Sequence, residues 1–139
     1  MPCFLHCLPA VELDRDLVIL YTSDIRGEAD GRVGFAGLAS YKSEMERVKN
    51  HVLVADLGNA LQGTALAAVS RGEYPVELMN AVGYDVCAVG ERDFAFGTEN
   101  LLTRSREAKY TYLSCNLQDA GGNAVFDGYK MYEYNGVRV

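Results

Sequence analysis

Residues 17–31 read LVILYTSDIRGEADG, an apolar run that stops abruptly in a polar loop holding two glycines. The first six residues, with branched side chains and no charge, read as a β-strand, and the glycines mark its end. The same arrangement recurs twice. Residues 52–56 (VLVAD) form a second apolar run and stop at Leu57-Gly58-Asn59. Residues 85–89 (DVCAV) form a third and run into Gly90-Glu91-Arg92-Asp93-Phe94.

Helical patterns fill the intervals. Phe35, Leu38, Met45 and Val48 keep near-helical spacing over 35–50, with Lys42 and Glu46 as an i,i+4 pair on the solvent side. A short alanine-rich segment, 62–70, precedes a helix over 75–82 with Pro75 in its first turn and Gly83 ending it. A further helix over 98–108 takes Thr98 as its cap. Strands follow at 112–115 and 129–134. The pair Asn135-Gly136 then signals a tight hairpin whose returning strand has only Val137, Arg138 and Val139. A returning strand normally runs about five residues, so the chain reads as cut in mid-element.

Strands alternating with helices predict an α/β fold with a mostly parallel sheet, flanking helices and a C-terminal antiparallel hairpin. Residues 17–139 form that domain, and 1–16 read as a poorly ordered N-terminal segment. Ligand sites in such sheets lie beyond the carboxyl ends of the strands. The three polar loops, at 23–26, 56–59 and 90–93, are therefore expected on one edge.

Composition is that of an ordinary globular protein, with 49% hydrophobic and 23% charged residues. Net charge is −6 and the basic residues are scattered, which argues against a nucleic-acid surface. No stretch approaches the roughly 20 apolar residues of a membrane span, and 4–11 lack the basic flank of an export signal. The expectation is a cytoplasmic protein. Cys3, His6 and Cys7 read as part of a terminus rather than a soft-metal site, since no second ligand pair follows. Cys87 and Cys115 read as buried thiols at strand ends. Gly31, Gly34 and Gly37 have the wrong spacing for a dinucleotide loop. The late tyrosines, Tyr110, Tyr112, Tyr129, Tyr132 and Tyr134, read as strand and edge residues, and Asp119 and Asp127 as solvated.

The three loops resemble those of the 5′-nucleotidase and UDP-sugar hydrolase branch of the calcineurin-like metallophosphoesterases. Against that family's T-N-D-x-H-G, residues 22–27 read T-S-D-I-R-G. Against D-x-G-D followed by Q-G, residues 56–59 read D-L-G-N, with Gln62-Gly63 following. Against G-N-H-E-F-D followed by G, residues 90–95 read G-E-R-D-F-A, with Gly97 following. The resemblance extends over about residues 17 to 139 in order and spacing, through Gly83-Tyr84-Asp85, Cys115-Asn116 and the Asn135-Gly136 turn. It implies half of a four-layer αββα sandwich.

It also implies a chemistry in which two divalent cations clamp the phosphoryl oxygens and deprotonate the attacking water. Position by position, Asp24 keeps a metal-binding aspartate. Arg26 stands where a metal-binding histidine belongs, and Asn59 replaces the aspartate that bridges the metals. Glu91 replaces an asparagine ligand, and Arg92 replaces the histidine that protonates or steadies the transition state. His6 and His51 match none of these positions. Arginine offers a metal no lone pair and stays charged. Asp24, Asn59 and Glu91 are thus expected to hold at most one oxygen-favouring ion, Mg²⁺ or Mn²⁺.

Three readings follow. The chain is a catalytically impaired relative, or a fragment, whose arginines pair with Asp24, Asp56, Glu91 or Asp93. Alternatively Arg26 and Arg92 grip the phosphate of a small molecule directly, since the guanidinium fork matches that oxyanion. In the third, a metal-dependent phosphoester hydrolase persists, completed by another chain. A half-sandwich leaves one apolar sheet face uncovered, so a homodimer or a separate second half-domain is expected to cover it.

Overall fold

The computed structural model describes residues 17–29, 34–49 and 51–139. The Cys3, His6 and Cys7 cluster, the expectation for 1–16, and Gly31 lie outside the described residues. Strand β1 (Leu17–Thr22) leads through α1 (Gly34–Val48) to β2 (His51–Asp56). Helices α2 (Ala65–Val69) and α3 (Glu73–Val82) connect β2 to β3 (Val86–Ala88), and α4 (Thr98–Glu107) connects β3 to β4 (Thr111–Leu113). A hairpin of β5 (Glu133–Tyr134) and β6 (Val137–Arg138) follows.

The four long-range strands form one parallel sheet in the order β1-β2-β3-β4. Leu17 pairs with His51 and Thr22 with Asp56, so β2 begins one residue earlier than its apolar run. This register ends β1 and β2 level with each other and puts their polar loops side by side.

One face of the sheet carries the core. Val54, Cys87 and Tyr112 point into it and meet Phe35 of α1, Val76, Met79 and Val82 of α3, and Leu101 of α4. Burying each large apolar side chain there contributes roughly 1.5–3 kcal/mol. Tyr84, Tyr110 and Tyr112 extend the core as a ladder of rings spaced 5.4–6.2 Å apart. Two of the late tyrosines are therefore core residues, whereas Tyr129 is exposed. The opposite face is less covered. Alternation along β1 leaves Ile19 and Tyr21 52% and 69% exposed. The residues from Lys130 onward lie against the amino-terminal end of the sheet. There Tyr134 packs on His51 at 4.7 Å, the Tyr132 hydroxyl donates to Asp85 O, and Lys130 Nζ donates to Thr111 Oγ1.

Several local expectations are corrected. Gly97, not Thr98, is the N-cap of α4, and Thr98 is its first helical residue. Helix α3 starts at Glu73, which still leaves Pro75 in the first turn, where no intrahelical donor is needed. Cys115 is exposed because β4 ends at Leu113 and the cysteine falls beyond it. The last strand shrinks from six residues to Glu133–Tyr134. Its turn is as expected, with positive φ at both Asn135 and Gly136. Lys42 does pair with Glu46, but it is not on the open solvent side. Its ammonium donates to Val82 O and Gly83 O and so closes the carboxyl end of α3 against α1. Asp119 is exposed, yet it folds its own loop by accepting from the Gly121 and Asn123 amides.

Candidate functional site

The three polar loops meet at the carboxyl edge of the sheet. Backbone bonds lock the first to the second: Asp24 N–H donates to Gly58 O and Arg26 N–H to Asn59 O, both at 3.0 Å. Thr64 N–H returns a bond to Arg26 O at 3.1 Å. A buried carboxylate locks the second to the third. Asp93 accepts from the amides of Asn59 (2.9 Å), Leu61 (3.0 Å) and Gly90 (2.8 Å). Gly90 also lies so close to Asn59 that any side chain there would strike the Asn59 amide.

Asp56 is the second buried carboxylate. It accepts from the Thr22 hydroxyl at 2.6 Å and from Gly58 N–H at 2.8 Å, with the Cys87 thiol at 3.7 Å. Thr22 in turn bonds the Tyr84 hydroxyl at 2.9 Å. Burial, with the field of Asp93 added, pushes Asp56 up to about 6, against the hydrogen bonds that favour its charge. Burial likewise pushes the Cys87 thiol well up, so it stays protonated and inert. Of the four partners expected for the arginines, Arg26 takes Asp24, and among the described residues neither Asp56 nor Asp93 pairs with an arginine. Both are acceptors beneath the site. The sequence offered them only as ion-pair partners, because only the tertiary fold aims backbone amides at them.

On this scaffold sit the residues singled out from sequence. Arg26 Nη2 lies 2.6 Å from Asp24 Oδ2, an exposed hydrogen-bonded ion pair. That bond, with the fields of Arg26 and Arg92, holds the Asp24 carboxyl below the usual carboxylate range. Asn59 Oδ1 accepts the Arg92 backbone amide at 2.9 Å. The Arg92 guanidinium makes no ion pair or hydrogen bond among the described residues. Glu91 is exposed and is joined to neither Asp24 nor Asn59. Asp24, Arg26 and Asn59 have φ values of 57°, 51° and 63°. A left-handed backbone at a residue with a side chain costs on the order of 1 kcal/mol or more, and such strain clusters at ligand sites.

The donor set fits a two-metal centre poorly. Among the described residues no three His, Cys, Asp or Glu side chains converge in a way that could hold a metal ion. The retained aspartate is bonded to a guanidinium, and the Asn59 carbonyl oxygen is neutral and already engaged. The arrangement presents instead a rigid rim with one paired and one unpaired guanidinium.

Known proteins share this framework. The chain is 31% identical over 121 residues to the 5′-nucleotidase of Bos taurus, a match covering 76% of this chain and 21% of that protein. It thus spans about a fifth of the length of the curated relatives it matches. Among solved structures, the calcineurin-like phosphoesterase YfkN from Bacillus subtilis superposes with a TM-score of 0.74 at 22% identity, over 88% of this chain and 45% of that one. A 5′-nucleotidase precursor from Thermus thermophilus superposes with a TM-score of 0.76 at 20% identity, over 88% of this chain and 27% of the other. No family model matches the chain. No helix among the described residues is long and apolar enough to cross a membrane.

Proposed function

We propose that this chain, a relative of the 5′-nucleotidases that carries the N-terminal part of the calcineurin-like metallophosphoesterase fold, is a catalytically impaired member that does not assemble a two-metal centre. The observation that supports this reading is the 2.6 Å bond between Arg26 and Asp24. A dication approaching Asp24 must displace a guanidinium. It then meets the field of Arg92 and gains only a neutral oxygen from Asn59. In the two-metal chemistry the paired ions deprotonate the attacking water and clamp the phosphoryl oxygens, and this donor set does not gather them.

A second reading is favoured by the unpaired Arg92 guanidinium. It is exposed beside Asn59, and a guanidinium fork suits phosphate oxygens. Arg26 can join it by exchanging Asp24 for the ligand. The chain then holds a phosphate-containing small molecule without cleaving it. A second copy of the chain, or a separately made half-domain, is inferred to cover Ile19 and Tyr21.

Hydrolysis of AMP and of an aryl phosphate, with Mn²⁺ and then with excess EDTA, tests the first reading. No turnover is expected in either condition. Turnover with Mn²⁺ that EDTA abolishes would overturn it and support a surviving hydrolase. Calorimetric titration with inorganic phosphate tests the second, with binding expected in the native chain and lost in Arg92→Ala.

A further inference from the structure

We infer that the Asn135-Gly136 turn is a site of spontaneous covalent change, where the asparagine converts to isoaspartate and unlatches the hairpin from the sheet. The hairpin packs on His51, the first residue of β2, at the end of the sheet opposite the arginines, so this change is independent of the phosphate readings.

The chemistry is an intramolecular attack followed by hydrolysis. The Gly136 backbone nitrogen attacks Asn135 Cγ, and a cyclic imide closes. The new N–Cγ bond forms as Cγ–Nδ2 breaks, and ammonia leaves with Nδ2 and the proton of the attacking nitrogen. Nothing is oxidised or reduced. Water adding at Cγ breaks the new bond and leaves aspartate. Water adding at the main-chain carbonyl carbon breaks the original peptide bond and leaves isoaspartate, with the chain rerouted through Cβ and Cγ. Such a reaction is governed by how freely the two reacting groups can meet.

The sequence and the fold together select residue 135. Asn135 is the one asparagine followed by glycine. Nothing lies within 4 Å of the place where a Gly136 Cβ would stand, so the attacking nitrogen is unshielded. Both residues are exposed, and neither the Gly136 N–H nor the Asn135 carboxamide is hydrogen-bonded among the described residues. The carboxamides of Asn59, Asn80, Asn100, Asn116 and Asn123 are each held by at least one hydrogen bond, and each is followed by alanine or leucine. Ring closure also needs the turn to open briefly, and exposed loop tips open at little cost.

The consequence follows from the turn. Left-handed angles at Asn135 and Gly136 hold Tyr134 opposite Val137 and Glu133 opposite Arg138. Tyr132 and Val139 exchange backbone bonds of 2.9 Å in both directions. Isoaspartate lengthens the main chain of that turn and breaks its match to the strands. The shifted register carries the Tyr134 ring off His51 and the Tyr132 hydroxyl off Asp85 O.

The full chain is held in neutral and in mildly alkaline buffer, and each asparagine is followed by peptide mapping, with isoaspartate scored by a protein isoaspartate methyltransferase. Conversion at residue 135 is expected to be at least about tenfold faster than at any other described asparagine, and faster still in alkali, with isoaspartate the larger product. Amide hydrogen exchange at Tyr132 and Val139 should quicken in the aged acidic fraction separated by ion exchange. It should stay unchanged in equally aged Asn135→Gly, a substitution that suits a left-handed turn. Earlier conversion at another asparagine, or aspartate formed without isoaspartate, overturns the site. Conversion at 135 with unchanged exchange at Tyr132 and Val139 overturns the unlatching.

Discussion

Replacing Asp56 by asparagine removes a charge from beneath the site while keeping the shape that the loops rest on. Asp56 is 1% exposed, and its folded pKa is raised from 3.8 to about 6. Between those values the folded chain binds the proton more tightly than the unfolded chain does. The stability Asp56 confers is therefore fully present below about 3.8 and is lost as pH rises through about 6. At about 1.4 kcal/mol for each tenfold change in proton affinity, the gap amounts to about 3 kcal/mol. In Asp56→Asn the side-chain oxygen still accepts from Gly58 N–H. The new amide donates to Thr22 Oγ1, which turns its own proton toward Tyr84. Urea denaturation followed by far-UV circular dichroism suits a chain with no tryptophan. Asp24 and Asp119 have lowered pKa values, and their contributions fall as pH falls, so the difference between native and variant curves isolates Asp56. That difference should swing by about 3 kcal/mol toward the variant as pH rises through the window from about 3.8 to about 6. Parallel curves across the window would refute the argument.

Asp93→Asn leaves at most one acceptor oxygen facing the amides of Asn59, Leu61 and Gly90; a loss on the order of 2–3 kcal/mol is expected in urea, with faster hydrogen exchange at those amides. The double variant Arg26→His with Asn59→Asp frees Asp24 and restores an anion at the second loop. Its Mn²⁺ affinity by calorimetry should exceed that of the native chain by at least about tenfold, and an unchanged affinity would mean that these two positions do not limit the ion. Tyr21→Lys puts a charge on the uncovered sheet face, where it should lower self-association measured by sedimentation velocity. A native chain that stays monomeric at every concentration rules out a second copy as the cover and leaves the separately made half-domain.

Local pattern determined most of the framework. The apolar runs at 17–22, 52–56 and 85–89, each ending in a polar loop, placed three parallel strands and the edge where their loops gather, because strand and helix periodicity is written in neighbouring residues. The Asn135-Gly136 turn and the helix end at Gly83 were legible for the same reason: each depends on a left-handed backbone that few residues adopt. The pairing of Arg26 with Asp24 was readable as a possibility, and only tertiary structure chose it over Asp56 and Asp93. Those two carboxylates look like surface loop residues in the chain. Folding buries them and turns toward Asp56 a hydroxyl, and toward Asp93 amides, up to 34 positions away in sequence, and no periodicity records such contacts. The same holds for Lys42, whose side chain reaches carbonyls 40 and 41 residues away, and for Cys115, which left the interior because its strand ended two residues early. Sequence sets which conformations each segment can adopt; which polar groups end up facing one another is decided by distance in space.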